Sequence, residues 1–329
     1  MEGIDLQLGR RSIATVLVPL VMLLSFRGFC VSVGANDFYE EAKMRIVEGF
    51  CSFEDSIDIE KFGLPKEALP ALLSEIVKDD PFLFYVDSRV SYLYRGDGCV
   101  VTVKPQYTMI PSDVGIAWAY CRRLIDGMVS GIEGSDGEKA LLLHDLICRG
   151  FSYDESLKNE DLYSFLLNGS GTCQAYTSLY TALLRRVGIE AHFVASDAIS
   201  HMWNLVKLDG EWYHVDVTWD DTADNVASHR HFLLSDRMAR ERGHRDWYSV
   251  GAFSCNSEKY ANGDIESLLH GAFLIGDADH DGEASLTDLL LLRRRERGMI
   301  CAHCADIDGD GTVDDEDVFF LRMKILEGD

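Results

Sequence analysis

Basic residues are scarce: 31 Lys and Arg stand against 55 Asp and Glu, a formal charge of −24 over 329 residues. That balance excludes a basic nucleic-acid footprint and leaves no polybasic patch for a membrane surface. A long hydrophobic run is also missing, because the uncharged apolar stretch at 12–26 is shorter than the ~20 residues a spanning helix needs. Cys30 follows Arg27-Gly28-Phe29, where a lipoprotein site would want a run of small residues, so lipidation is not expected. The nine cysteines lack the regular spacing of a disulfide framework, so free thiols in a low-oxygen habitat are expected, with one or two bridges as the alternative. Cys301 and Cys304 form a lone CxxC pair without the second pair that a structural zinc site would take.

What is present describes an exported globular chain. Apolar residues make up 47% and charged residues 26%, enough for a core divided among two or three domains. Arg10 and Arg11, the apolar stretch and then Val33-Gly34-Ala35 follow the order of a signal peptide over 1–35, cleaved after Ala35. The alternative is a retained anchor. A mixed α/β lead-in subdomain is expected over 36–110, with helices at 37–48 and 65–78 and strands at 82–94 and 98–107 joined at Arg95-Gly96-Asp97-Gly98. A larger domain follows over 111–250. Its helices are read at 112–132, at 136–149 and from Cys173 to a stop at Gly188, the last through Ala175, Tyr176, Leu179, Leu183, Leu184 and Val187. Strands at 190–196, 201–208 and 211–218 come after those helices, an α+β order with helices packed on an antiparallel sheet. A linker is expected over 251–270 and a small all-α module over 271–329.

Chemistry gathers in the larger domain. A thiol attacks as the thiolate, and the N-terminus of a helix favours that anion with partial positive charge and free N–H groups. Cys173 has that setting, although a lone buried Cys is more often structural. Asp209-Gly210 marks a two-residue hairpin turn, which sets Leu208 opposite Glu211, Trp203 opposite Asp216 and His201 opposite Thr218. His201 and Asp216 then share one face as diagonal neighbours, about 7–8 Å apart at the backbone. A carboxylate-oriented imidazole beside a thiol is the arrangement a cysteine nucleophile requires. Parity also places His214 on that face, so geometry leaves the choice of histidine open.

Gly171-Thr172-Cys173-Gln174-Ala175-Tyr176, His201-Met202-Trp203-Asn204 and the run from Trp212 to Asp220 resemble, in order, three motifs of the transglutaminase-like superfamily. His144-Asp145, Tyr153-Asp154 and His231-Phe232-Leu233-Leu234 flank them, so the resemblance covers about 136–240. It implies a papain/transglutaminase-like fold with Cys173 as nucleophile, His201 as base and Asp216 as the orienting acid, leaving His214 a bystander. It also implies acyl transfer through a thioester on a protein or peptide amide, with no catalytic cofactor. Amine acceptors would give crosslinks, and water would give deamidation or peptide hydrolysis. The rival from another class is a catalytically silent binding module.

Beyond the linker stand two twelve-residue acidic loops at an offset of 29 residues. In each, Asp occupies positions one, three, five and twelve and Gly position six: Asp277, Asp279, Asp281 and Asp288, then Asp306, Asp308, Asp310 and Asp317. Glu283 and Thr312 supply carbonyls at position seven, with Ser285 and Asp314 at nine, a set of hard oxygens suited to one calcium ion per loop. Apolar helices are expected after the loops, at 289–297 and 318–326, and none enters between them. Such paired loop-helix units resemble the dockerin module of cellulosomal proteins, whose partner is a cohesin domain on an extracellular scaffold. Leu286-Thr287 and Asp315-Glu316 at positions ten and eleven differ, so the two halves are not expected to be interchangeable.

Overall fold

The computed structural model describes residues 6–8, 11–17, 35–130, 132–222 and 227–260, together with Leu321. The acidic loops, and Cys301 and Cys304, lie outside the described residues. Described elements run in the order β1 (Leu6–Leu8), β2 (Arg11–Leu17), α1 (Ala35–Cys51), β3 (Ile57–Asp58), α2 (Leu69–Asp79), β4 (Arg89–Arg95), β5 (Val100–Lys104) and α3 (Pro111–Met128). Next come α4 (Asp136–Gly150), β6 (Ser152–Tyr153), α5 (Leu162–Asn168), β7 (Ser170–Gly171) and α6 (Cys173–Arg186). The described part closes with β8 (Ala191–Ser196), β9 (His201–Leu208), β10 (Glu211–Val215), α7 (Val217–Asp220), α8 (Asp236–Glu241) and β11 (Tyr248–Ser249).

Two apolar cores organise these elements. Ile46 and Phe50 of α1, Leu72 and Leu73 of α2, Tyr85 and Val103 belong to the first, against a sheet ordered β1-β2-β4-β5-β3. Residues 12–17 of the apolar N-terminal stretch lie in β2, which pairs antiparallel with β4. In the second core α6 buries Tyr176, Leu179, Tyr180 and Leu183 against Leu141 of α4, Phe165 of α5, Val206 of β9 and Tyr213 of β10. The sheet behind it is antiparallel and ordered β10-β9-β8-β11, so the architecture is α+β. Phe84 packs against both cores. Between them Asp79 receives Arg185 Nη2 at 2.8 Å and His192 Nδ1 at 3.0 Å, and Lys78 Nζ donates to Tyr248 Oη at 2.9 Å.

Local chemistry explains where elements start and stop. Ser135 and Glu138 close a capping box at the head of α4, each side chain bonding the other's backbone N–H. Asp209 and Gly210 at φ 53° and 83° form the left-handed turn expected between β9 and β10. The β9–β10 register sets Leu208 against Glu211, as the hairpin predicts, but pairing ends with Val215 against Asn204. Asp216 terminates the strand by capping α7, its Oδ1 accepting the Trp219 N–H at 3.1 Å. The strand expected over 211–218 is therefore shorter, because the alternation of Val215 and Val217 runs on into a helical turn. In the first core, Asp80 caps a 3-10 turn at Pro81–Leu83, so the strand read from 82 begins only at Arg89. The stretch 251–260, read as linker, packs instead: Cys255 and Tyr260 are buried and Ser257 accepts the Tyr213 hydroxyl at 2.7 Å.

Candidate active site

Cys173 opens α6, and three contacts hold the chain that delivers it. The parallel β6–β7 bridge sets Tyr153 against Gly171, the Asp154 N–H donates to the Gly171 carbonyl at 2.9 Å, and the Thr172 N–H donates to the Asn159 carbonyl at 2.9 Å. Asp154 fixes the intervening loop by accepting from the N–H groups of Ser156, Lys158 and Asn159 at 2.9–3.0 Å. Those bonds and the Ser156 hydroxyl hold its carboxyl down at about 2. Glycine is required at 171, since a Cβ there would lie 2.6 Å from the Phe165 ring and 2.7 Å from Ala175. Tyr153 lies near enough to Cys173 for their charges to couple, and its side chain is 40% exposed.

His201 begins β9 directly across from that helix. Asn204, three residues along, ties strand to helix: its amide donates to the Thr177 carbonyl at 3.1 Å and to Thr181 Oγ1 at 2.8 Å. The hydroxyl of Thr177 in turn donates to the Cys173 carbonyl at 2.8 Å. His201 Nε2 bonds Asp216 Oδ2 at 2.7 Å, and Cys173 lies near enough to act on the charge of the ring. Trp219 lies flat on the imidazole, with centroids 4.7 Å apart and planes 8° off parallel.

Electrostatics favours a proton on this histidine. Burial opposes the charge, but the Asp216 carboxylate and Cys173 outweigh it and raise the His201 pKa to about 10. Burial likewise works against ionised Asp216, yet its bonds from His201 and His244 hold the carboxyl far below the usual range. Asp216 Oδ2 is shared, for His244 Nε2 also reaches it at 2.9 Å. No sequence signal marks His244, which stands 28 residues downstream and outside the three motifs.

His214, left open by parity, has other partners. The Trp203 indole donates to its Nδ1 at 3.0 Å, so Nε2 carries the proton and donates to Asp236 at 2.9 Å. A further network backs α7: His144 lies between Asp145 (2.9 Å) and Asp220 (3.4 Å), His229 bonds Asp145 at 2.8 Å, and His231 bonds Asp220 at 3.2 Å. Burial opposes charge on His144, but Cys148 and the two carboxylates raise its pKa well above that of free imidazole.

Three described groups place ligand atoms within 4.8 Å of one another: His144, Asp145 and His229; His201, Asp216 and His244; and His214, Asp236 and Cys255. In each group a histidine nitrogen hydrogen-bonds the carboxylate. The calcium-ligand candidates Asp277 to Asp317 are outside the described residues. Cys51, Cys99, Cys121, Cys148, Cys173 and Cys255 are all free thiols. No helix among the described residues is long and apolar enough to cross a membrane.

A thiol at a helix N-terminus, near a strand-borne histidine and its carboxylate on an α+β scaffold, is the arrangement a cysteine nucleophile requires. The sequence places it more closely: residues 122–217, under a third of the chain, match the model of the transglutaminase-like superfamily. That stretch of the chain, which contains Cys173, His201 and Asp216, is therefore similar to the transglutaminase-like superfamily. No curated protein gives a significant match. Among solved structures, a TGase matches at 12% identity and TM-score 0.31, over 53% of this chain and 59% of its own. A candidate protease from Parabacteroides distasonis matches at 13% identity and TM-score 0.25, over 38% of this chain and 33% of its own. A candidate cysteine protease from Cytophaga hutchinsonii gives 15% and 0.27, over 46% and 62%. Each match spans less than two thirds of the other chain, and at these TM-scores none adds to the family assignment.

Proposed function

We propose that the enzyme transfers acyl groups from protein or peptide amides through a thioester on Cys173, with His201 as acid and base and Asp216 as the group that orients it. The observation that carries this reading is the 2.7 Å bond between His201 Nε2 and Asp216 Oδ2, with Cys173 at the first position of α6. Sulfur attacks the amide carbonyl, the C–N bond breaks, and the amine leaves with the proton held on His201. The negative oxygen formed on the way is stabilised by the Cys173 backbone N–H at the head of α6. An acceptor then gives its proton to His201 and attacks the thioester, the C–S bond breaks to release Cys173, and the acyl group leaves on an amine as a crosslink or on water as a hydrolysed product.

The same reading takes the chain as secreted and attached by its acidic repeats to a cohesin-bearing scaffold of a polysaccharide-degrading complex. Support comes from the two loops, Asp277 to Asp288 and Asp306 to Asp317, whose oxygens match calcium's coordination. Calcium there serves attachment, and no step at Cys173 passes through it. One experiment tests both parts: the full chain is incubated with casein or cell-wall peptides and a labelled amine, with and without chelator, and digests are read by mass spectrometry alongside retention on an immobilised cohesin. Acyl transfer should persist in chelator while retention is lost, and Cys173→Ala should form no thioester. Full labelling of that variant would sink the nucleophile; transfer abolished by chelator in a folded enzyme would sink the separation of roles.

A further inference from the structure

We infer that His244 is a positioning residue for the reaction at Cys173, holding the same Asp216 oxygen that His201 engages; this rests on the acyl-transfer reading above. Both imidazoles converge through Nε2 on the same oxygen, Asp216 Oδ2, at 2.7 Å from His201 and 2.9 Å from His244. The Trp219 N–H takes Oδ1 at 3.1 Å, so the carboxylate is pinned by three donors on three different segments. Without His244, Oδ2 would keep His201 as its one partner and Oδ1 the Trp219 N–H, so the oxygen that orients the imidazole would be less firmly held.

The fold is built to deliver this ring. His244 is fully buried, and Trp203 and Trp219 each pack on it with centroids 4.5 Å away. Its second nitrogen, Nδ1, faces the Ala239 carbonyl at 3.2 Å, and its backbone N–H donates to the same carbonyl at 3.0 Å. Gly243 supplies the left-handed step at φ 108° that turns the chain off α8 and inward. The charged and titratable groups facing His244 are Asp216 from the head of α7, His201 from β9, His231 from the loop after α7, and His214 from β10.

Removing a donor from Asp216 makes the carboxylate a stronger base toward His201, so the imidazolium persists to higher pH while its orientation loosens. The test compares wild type, His244→Leu and His244→Gln; the glutamine amide can still donate to Asp216. Alkylation of Cys173 by iodoacetamide is followed against pH by peptide mass spectrometry, with exposed Cys51 as the internal reference, and thermal melts record folding. Steady-state acyl transfer supplies kcat and KM. His244→Leu should lower kcat about ten- to a hundredfold with KM little changed, and should shift the basic limb of the alkylation profile upward. His244→Gln should restore both.

An unshifted limb in His244→Leu, or a glutamine variant no better than leucine while both remain folded, overturns the inference. If His244→Leu fails to fold, His244→Gln decides alone: near-native kcat with an unmoved limb supports the donor role, and kcat as low as that of Asp216→Asn overturns it. A wild type whose Cys173 reacts no faster than Cys51 instead overturns the acyl-transfer reading, and this inference with it.

Discussion

Two side chains set the pH behaviour of the site. His201 titrates at about 10 when folded and near ~6.5 when unfolded, a raised value, so its stabilisation is complete below the lower figure and fades as pH rises through the upper one. Asp216 is shifted the other way, so its share is present above ~3.9 and is lost as pH falls below that. The pair therefore stabilises most between about pH 4 and 6.5. Asp216→Asn should reduce unfolding free energy by roughly 3–5 kcal/mol in that window, as for a broken buried pair, and by less at pH 10. Urea midpoints at pH 5.5 and 10 measure this; an equal loss at both would show that charge plays no part. At this scale the sequence was informative wherever residues lie near one another along the chain. The two-residue turn predicts that His201 and Asp216 come together, but Asp216 lies one residue past the paired register and meets His201 as the cap of α7. His244 could not be placed this way, because its approach to Asp216 depends on the path after α8, where no periodicity, cap or motif fixes direction.

Elements were legible to the extent that their ends carry local signals. The strand 201–208, the helix from Cys173 and its stop at Gly188 follow from alternation, apolar periodicity and a left-handed glycine at φ 86°. Asp216 shows the limit. Its neighbours keep a strand's alternation, and only the side chain's bond to the Trp219 N–H converts the next residues to helix. The short α5, capped by Asp161 and closed by Gly169 at φ 69°, also escaped, since seven residues offer too little periodicity. Gly171 joins α5 to the head of α6 with no room for a methyl group. Gly171→Ala should destabilise the protein by about 1–3 kcal/mol through overpacking and slow Cys173 alkylation by displacing the first turn of α6. A melt and an alkylation rate both unchanged would mean that Phe165 yields without moving the helix.

For the whole molecule, the informative feature is the seam between the two cores. Arg185 and His192 belong to the second core's framework and reach back to one carboxylate at the end of α2. Those bonds, with Arg185 and His192, hold the Asp79 carboxyl below its usual range despite its burial. Composition gave no hint of this, because a charge pair spanning 106 or 113 residues leaves no trace in sequence spacing. Asp79→Ala should lower stability by roughly 2–4 kcal/mol, leaving Arg185 and His192 without their carboxylate, and should split a single denaturation transition into two. A superimposable curve would mean the cores are joined by apolar contact alone. The seam also bears on how such a chain could be recombined. With Lys78 bonded to Tyr248 and Phe84 shared by both cores, the enzyme half is not an exchangeable cassette. A fusion that kept the region bearing Cys173 and discarded residues 35–110 would strip one wall from the sheet on which His201 stands.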